Sequence, residues 1–173
     1  MTVDIAFAPA AKADVENHVD LVNRVYAEAE KGLWQEGAER TDAAELTAVI
    51  RAGELVEARL DGRLVGAVHV TTLAAGIGEF GMLVAAPEHR NAGIGRDLVA
   101  FAEDWARRQG HRTMQLELLM PQTWTHPVKE FLHGWYTRIG YRPVRTEPFD
   151  VAYPALAPLL ATPCDFVIYQ KPL

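Results

Sequence analysis

The sequence predicts an α+β domain built on a mixed sheet with crossover helices packed against it. Three observations point there. Asp61-Gly62, a pair that tolerates positive φ, separates two β-patterned apolar runs and so marks a hairpin. Beyond that hairpin the pattern alternates strand, helix, strand, helix, which brings in parallel crossovers. The 173 residues, 49% hydrophobic and 23% charged, suit one globular domain over residues 1–173 with a core of ordinary size.

Val3 to Phe7 reads as a first strand. Lys12 to Lys31 reads as a helix, with Val15, Val19, Leu21, Val22 and Tyr26 on one side and charges opposite. A polar loop from Gly32 to Thr41 carries Trp34. A second helix is expected with Thr41 as N-cap and Gly53 closing it. The hairpin strands are Leu55–Leu60 and Leu64–Leu73, and a turn at Gly76 to Gly78 leads to a strand over Glu79–Ala85. Leu98, Phe101, Ala102 and Trp105 give the next helix, Gly95 to Gln109, its apolar face, and Gly110 stops it. Thr113 to Met120 follows as a strand. Pro127 suits a first helical turn, with Val128, Phe131, Leu132 and Trp135 as the expected buried stripe and Gly140 as the end. The tail reads as strand (Tyr141–Thr146), short helix (Tyr153–Leu160) and strand (Asp165–Gln170).

Composition removes several function classes. A net charge of −6 argues against a nucleic-acid-binding surface, and no apolar run is long enough to cross a bilayer. The start, Met1 to Ile5, lacks the basic-then-apolar pattern of a signal peptide, so a cytoplasmic address is expected. The chain has no serine, which excludes a Ser-His-Asp hydrolase, and its one cysteine, Cys164, excludes an intrachain disulfide and a cysteine metal cage. Gly76-Ile77-Gly78-Glu79-Phe80-Gly81 is a literal GxGxxG, but it runs into a strand instead of opening a helix and so is no dinucleotide site. No Gly-Lys-Ser/Thr opens a helix either, which removes a Walker A loop. His126 and His133, seven apart with no third ligand, read as polar surface residues, and no metal is expected.

Arg90-Asn91-Ala92-Gly93-Ile94-Gly95 lies between a strand and the amphipathic helix. Glycines at 93 and 95 leave backbone N–H groups free to approach an anion. The helix adds the positive end of its dipole, and Arg90 and Arg96 flank the turn with charge-assisted donors. The features together make a pyrophosphate site. The segment, with Met82 to Arg90 before it, resembles the Pro-x-x-Arg and Arg/Gln-x-x-Gly-x-Gly/Ala pattern of the GNAT N-acetyltransferase superfamily. The order of elements is similar over nearly the entire chain, least so before residue 53. That resemblance implies a mostly antiparallel sheet of about six to seven strands with a central parallel splayed pair, flanked by about four to five helices. It implies acetyl-CoA as acyl-donor cosubstrate, held by Arg90, Asn91, Ala92, Gly93, Ile94, Gly95 and Arg96. It further implies that main-chain amides of Leu83 and Ala85, with Val84 facing the other way, pair with the pantetheine arm.

Trp135-Tyr136-Thr137-Arg138-Ile139-Gly140-Tyr141 resembles the family's Leu-Tyr-x-Lys/Arg-x-Gly-Phe/Tyr motif, which implies Tyr136 as the acid that protonates the departing thiolate. Glu79, eleven positions before Arg90, matches the glutamate base of histone-type members, with Glu117 as a second candidate. Where the family often has Asn, this chain has Lys129, which either reaches the CoA phosphates or lies on the surface. For the acceptor, Trp34, Trp124 and Tyr153 offer apolar walls, Glu28, Glu30, Glu36 and Glu39 favour a cation, and Arg40 favours a carboxylate. The expected activity is acetyl transfer from acetyl-CoA to a primary amine of a small molecule or amino acid. The alternative is a non-catalytic acyl-CoA-binding regulatory module. Expected partners are the small-molecule amine, no nucleic acid, no membrane and a possible homodimer.

Overall fold

A computed structural model describes residues 2–173. The hairpin forms where Asp61-Gly62 places it: both residues have positive φ, 51° and 78°, the twist that a two-residue connection needs. It joins β2 (Leu55–Leu60) to β3 (Arg63–Ala74), and β1 (Val3–Phe7) pairs antiparallel with β2 on the outer side. On the inner side β3 pairs antiparallel with β4 (Ile77–Ala85). Then β5 (Thr113–Pro121) joins β4 in parallel, β7 (Cys164–Pro172) joins β5 antiparallel, and β6 (Arg142–Pro148) forms the far edge. The result is a seven-stranded sheet of order β1-β2-β3-β4-β5-β7-β6 with one parallel pair at its centre.

Five helices cover the sheet. On one face α1 (Val15–Ala29) and α2 (Ala43–Arg51) pack; on the other lie α3 (Ile94–Arg108) and α4 (Pro127–Arg138). The faces can be told apart by register. Gly66 of β3 touches α3, since a Cβ there would stand 2.8 Å from Ile94, and its cross-strand partner Ala85 shares that face. Glu57, whose partner Ala67 points the opposite way, meets α1 through His18, Nε2 to Oε2 2.9 Å. The main core, with Leu46, Val56, Val68, Phe80, Leu98, Met114 and Tyr141, lies on both faces. A smaller cluster of Leu33, Leu119, Phe149 and Cys164 seals the β7 end.

Three local expectations are corrected. Asp42, not Thr41, caps α2: its Oδ1 accepts from Glu45 N at 2.8 Å, while Thr41 Oγ1 donates to the Glu45 carboxylate at 2.6 Å. Either side chain can cap, and the extended backbone at Asp42 decides between them. The helix expected over Tyr153–Leu160 is instead a single turn, α5 (Phe149–Ala152), and a 3-10 turn at Ala157–Leu159, because Pro154 and Pro158 interrupt the run. The stripe assigned to α4 holds only in part: Leu132 and Trp135 pack against the core, but Phe131 is 64% exposed, and Lys129 and Tyr136 are the helix's buried residues. No helix among the described residues is long and apolar enough to cross a membrane.

Candidate active site

The centre of the sheet forks. β4 and β5 pair only through Ile77↔Thr113, Gly78↔Met114 and Glu79↔Gln115, and beyond Glu79 they part. A bulge in β4 accompanies the fork: Met82 has φ 51° and the β3–β4 register shifts between Ala67 and His69. An extra residue bends the strand that carries it. At the far end of β4 the Ala86 N–H donates to Val65 O on β3 at 2.8 Å. Alternation along the strand therefore turns Val84 towards β3 and the amides of Leu83 and Ala85 towards the open side. An extended, amide-bearing ligand can complete the ladder there.

Directly after β4, a 3-10 turn over Pro87–His89 leads into the start of α3. Asn91 (φ 66°) and Gly93 (φ 78°) are both left-handed, and Gly93 caps α3 without a side chain. The Ala92 amide is spent on His89 O at 3.2 Å, and the Asp97 amide makes the first intrahelical bond, to Gly93 O. Among the described residues the amides of Asn91, Gly93, Ile94, Gly95 and Arg96 have no acceptor. Free N–H groups at a helix start, in a turn of left-handed residues, can cradle an anion. A Cβ on Gly95 would meet only the Trp135 indole, at 3.8 Å, so the protein's own packing does not demand glycine there. Arg96 folds back over the turn, its Nη2 2.7 Å from where a Cβ on Gly93 would stand, and Arg90 is exposed with no ion-pair partner among the described residues. Two glycines, two arginines and five free amides suit a diphosphate.

Tyr136 approaches the fork from the α4 face, its ring 6.1 Å from Phe80 and 6.4 Å from Tyr169. The residue is 6% exposed and its hydroxyl has no hydrogen-bond partner among the described residues. It is not sealed either, since His126 Nδ1 is the one fully enclosed, unpartnered side-chain polar atom among them. Burial, and then the phenols of Tyr26 and Tyr169, hold Tyr136 protonated well above the usual tyrosine range. Tyr26 belongs to α1, on the other side of the sheet.

On the α1 face, Glu79 and Gln115 share the last rung of the parallel pair, and Gln115 Nε2 donates to Glu79 Oε2 at 3.0 Å. Glu117 is the next residue of β5 on that face, and Tyr153 donates to its Oε2 at 3.0 Å. Burial raises the pKa of both carboxyls; Glu117 raises Glu79 further, and Glu147 raises Glu117. Burial and these carboxylates push the Tyr153 phenol up to about 12. A raised carboxyl suits a base that must accept a proton near neutral pH. It also costs stability there: a group whose folded pKa exceeds its unfolded one stabilises only below the unfolded value, and that contribution is lost as pH rises through the folded one. Glu79→Gln should therefore raise the thermal midpoint at pH 7.5 relative to the parent. The difference should vanish on acidification into the range where the carboxyl is protonated, as calorimetry at several pH values would read.

Other candidates sit elsewhere. Lys129 neither reaches towards the cradle nor lies on the surface: its Nζ donates to Glu30 Oε2 at 2.5 Å and it is 4% exposed. A buried ammonium needs a carboxylate, and Glu30 at the end of α1 supplies one. Glu30 is thereby removed from the acceptor's surroundings, and Trp34 Nε1 donates to its other oxygen at 3.0 Å. Trp124 packs over Gly32 and donates to Thr162 Oγ1 at 3.1 Å, so both tryptophans fix loops. His126 and His133 are not surface residues: His126 Nε2 lies 3.0 Å from Lys31 O, and His133 Nδ1 lies 2.7 Å from the Tyr169 hydroxyl. No group of three or more His, Cys, Asp or Glu among the described residues converges to hold a metal. Arg40 stands over the Tyr26 ring at 5.3 Å and 3.8 Å from Glu45. Gln115 is the candidate-site residue that sequence reasoning missed, though it left a signal, a glutamine inside an apolar strand.

The comparisons agree with this geometry. The chain superposes on the PaiA N-acetyltransferase of Thermoplasma acidophilum, solved in complex with coenzyme A, with TM-score 0.76 at 18% identity over 100% of both chains. A ribosomal-protein-alanine N-acetyltransferase of Brucella melitensis gives TM-score 0.69 at 18% identity, covering 98% of this chain and 99% of that one. A GNAT family acetyltransferase of Elizabethkingia anophelis, solved with acetyl-CoA bound, gives 0.67 at 14% identity, covering 99% and 98%. These likenesses establish the fold. No curated protein matches in sequence. The model of the Acetyltransferase (GNAT) family matches residues 19–141, from α1 through the fork, the cradle and Tyr136 to Tyr141, and the chain belongs to that family.

Proposed function

We propose that the protein is an N-acetyltransferase that moves an acetyl group from acetyl-CoA to a primary amine of a small molecule or amino acid by direct attack. The carrying observation is the set of five uncommitted amides at the start of α3, continuous with the open edge of β4. A diphosphate at the cradle, flanked by Arg90 and Arg96, and an arm along Leu83 and Ala85 bring a thioester to the fork. Tyr136 lies there on one face and Glu79 on the other. Acetyl-CoA supplies the activated acyl group, and positioning it against the amine lowers the barrier by about 7 kcal/mol or more.

Glu79 takes a proton from the incoming ammonium, directly or through water, and frees the nitrogen lone pair. The nitrogen attacks the thioester carbon, the C–S bond breaks, and Tyr136 gives its proton to the departing sulfur. The second proton shed by the acylated nitrogen restores the tyrosine, so one proton is released per turnover. The Tyr136 phenol is protonated at neutral pH, so it has a proton to give, and its hydroxyl has no other partner among the described residues to compete. That free hydroxyl favours catalysis over an acyl-CoA-binding regulatory role, which needs no acid at the sulfur.

Tyr136→Phe should lower kcat by about 10²-fold while leaving the acetyl-CoA dissociation constant within about twofold. Steady-state kinetics and calorimetry on the same preparation separate the two. Full activity in the variant would place the acid elsewhere. The activity itself is tested by thiol release from acetyl-CoA against amines, amino acids and peptides. Release with at least one acceptor is expected, and a blank across a folded, CoA-binding protein would overturn the transferase in favour of the regulatory module.

A further inference from the structure

We infer that Gly81 sets which acyl group this protein transfers: it leaves the sheet bare beside the thioester, so that donors with an acyl chain longer than acetyl are admitted. The inference rests on the N-acetyltransferase proposed above and widens its donor class from acetyl-CoA to short-chain acyl-CoA thioesters.

Gly81 lies in the middle of β4 between Phe80 and Met82, which are 1% and 3% exposed, and it is the one exposed residue of that strand. A glycine inside a strand weakens it, and its usual reasons are a bulge, close packing or the approach of a ligand. Packing accounts for two other glycines of the sheet: a Cβ on Gly66 would stand 2.8 Å from Ile94, and one on Gly78 would stand 3.1 Å from His111. On Gly81 a Cβ would meet nothing within 4 Å. The bulge does not demand glycine there either. Its left-handed residue is Met82, at φ 51°, whereas Gly81 lies outside that region and would hold an L side chain without strain. A bound group is the reason that remains.

The position faces the acyl end of the donor. From the cradle the arm passes Ala85 and then Leu83, and Gly81 is the next step along β4, on the order of 6 Å further. Gly81 thus stands between the last amide assigned to the arm and Glu79 at the apex of the fork. Two residues from Glu79, it shares the α1 face. Its cross-strand partner on that face is His69, whose ring is drawn to Glu54, Nε2 to Oε2 2.8 Å. The space beside Gly81 opens to solvent, and carbon atoms added behind the acetyl carbonyl have room to pass over it. The transfer step keeps its balance: the same C–S bond breaks, the same C–N bond forms, and only the chain on the carbonyl carbon is longer.

The test titrates the full chain with free CoA, acetyl-CoA and butyryl-CoA by calorimetry. Wild-type protein should bind butyryl-CoA no more weakly than acetyl-CoA. Gly81→Val should bind butyryl-CoA at least tenfold more weakly than acetyl-CoA and keep its affinity for free CoA, which reads the cradle and the fold together. Valine suits a strand and meets no clash there. Gly81→Ala, the milder second variant, should give an intermediate ratio. In thiol release with the best amine of the panel, the butyryl-to-acetyl ratio of kcat/KM should fall tenfold or more from wild type to Gly81→Val. Wild-type protein that binds butyryl-CoA tenfold more weakly than acetyl-CoA overturns the inference, as does a CoA-binding Gly81→Val protein that discriminates no more than wild type. A change confined to the KM of the amine in Gly81→Val overturns it too, and gives the space to the acceptor. Absence of thiol release with every amine is a different result: it removes the transferase proposal, while the calorimetric ratios still decide for or against the acyl space.

Discussion

A Gly95→Asp variant should fold as stably as the parent and lose acetyl-CoA affinity by about 10²–10³-fold. The two halves of that expectation come from the same position. Gly95 is the second residue of α3, where a carboxylate meets the positive end of the helix dipole, a favourable effect of about 0.3–1 kcal/mol. There is room for it, since a Cβ there comes no nearer than 3.8 Å to Trp135. The same carboxylate stands beside the free amides of the turn and repels a diphosphate bound to them. At about 4 Å and an effective dielectric of about 20, two unit charges cost about 4 kcal/mol, and salt reduces this towards two or three decades in affinity. Gly93→Ala would be a poorer probe: Gly93 has φ 78°, and an L side chain there strains the turn, so weakened folding and weakened binding would arrive together. Calorimetric titration with acetyl-CoA beside a thermal melt reads both quantities. Unchanged affinity in a folded Gly95→Asp protein would remove the cradle.

What could be read from the amino-acid sequence was whatever local chemistry settles. Asp61-Gly62 specifies its hairpin because the two-residue turn needs positive φ at both positions. Gly93 and Gly110 bracket α3 for the same backbone reason, and helix and strand periods give most boundaries to within a few residues. The cradle is legible because its parts are contiguous and made of main chain. Glu117 and Tyr153 are a different case, since 36 residues separate them and only the placement of β5 beside the tail joins them. The burial of Lys129 was hidden for a related reason. A lysine counts as polar in any pattern, yet Lys129 is buried because Glu30, 99 residues earlier, meets it. No window on α4 contains that long-range pair.

That pair carries the second large effect. Lys129→Met should destabilise the protein by about 3–5 kcal/mol, the usual consequence of removing one partner from a buried ion pair. Methionine fills much of the aliphatic volume, so the loss reflects the abandoned charge more than a cavity. Glu30 would then be left 7% exposed with a single donor, Trp34 Nε1. Glu30→Gln in the same background should restore most of the loss, since the neutral amide keeps an oxygen for Trp34 and no longer needs a cation. Denaturant melts of the two singles and the double close a thermodynamic cycle, and a coupling of at least about 2 kcal/mol is expected. Additive singles would mean that the pair is incidental. The pair also joins the end of α1, which carries Tyr26, to the first turn of α4, whose second turn beyond carries Tyr136. Tyr26 and Tyr136 belong to the two helices that this ion pair ties together. Lys129→Met that remains folded at low temperature should therefore lose turnover as well, and the double variant should regain both stability and turnover. Recovery of stability without turnover would show that the charge itself, and not the docking of the helices, is what the site uses.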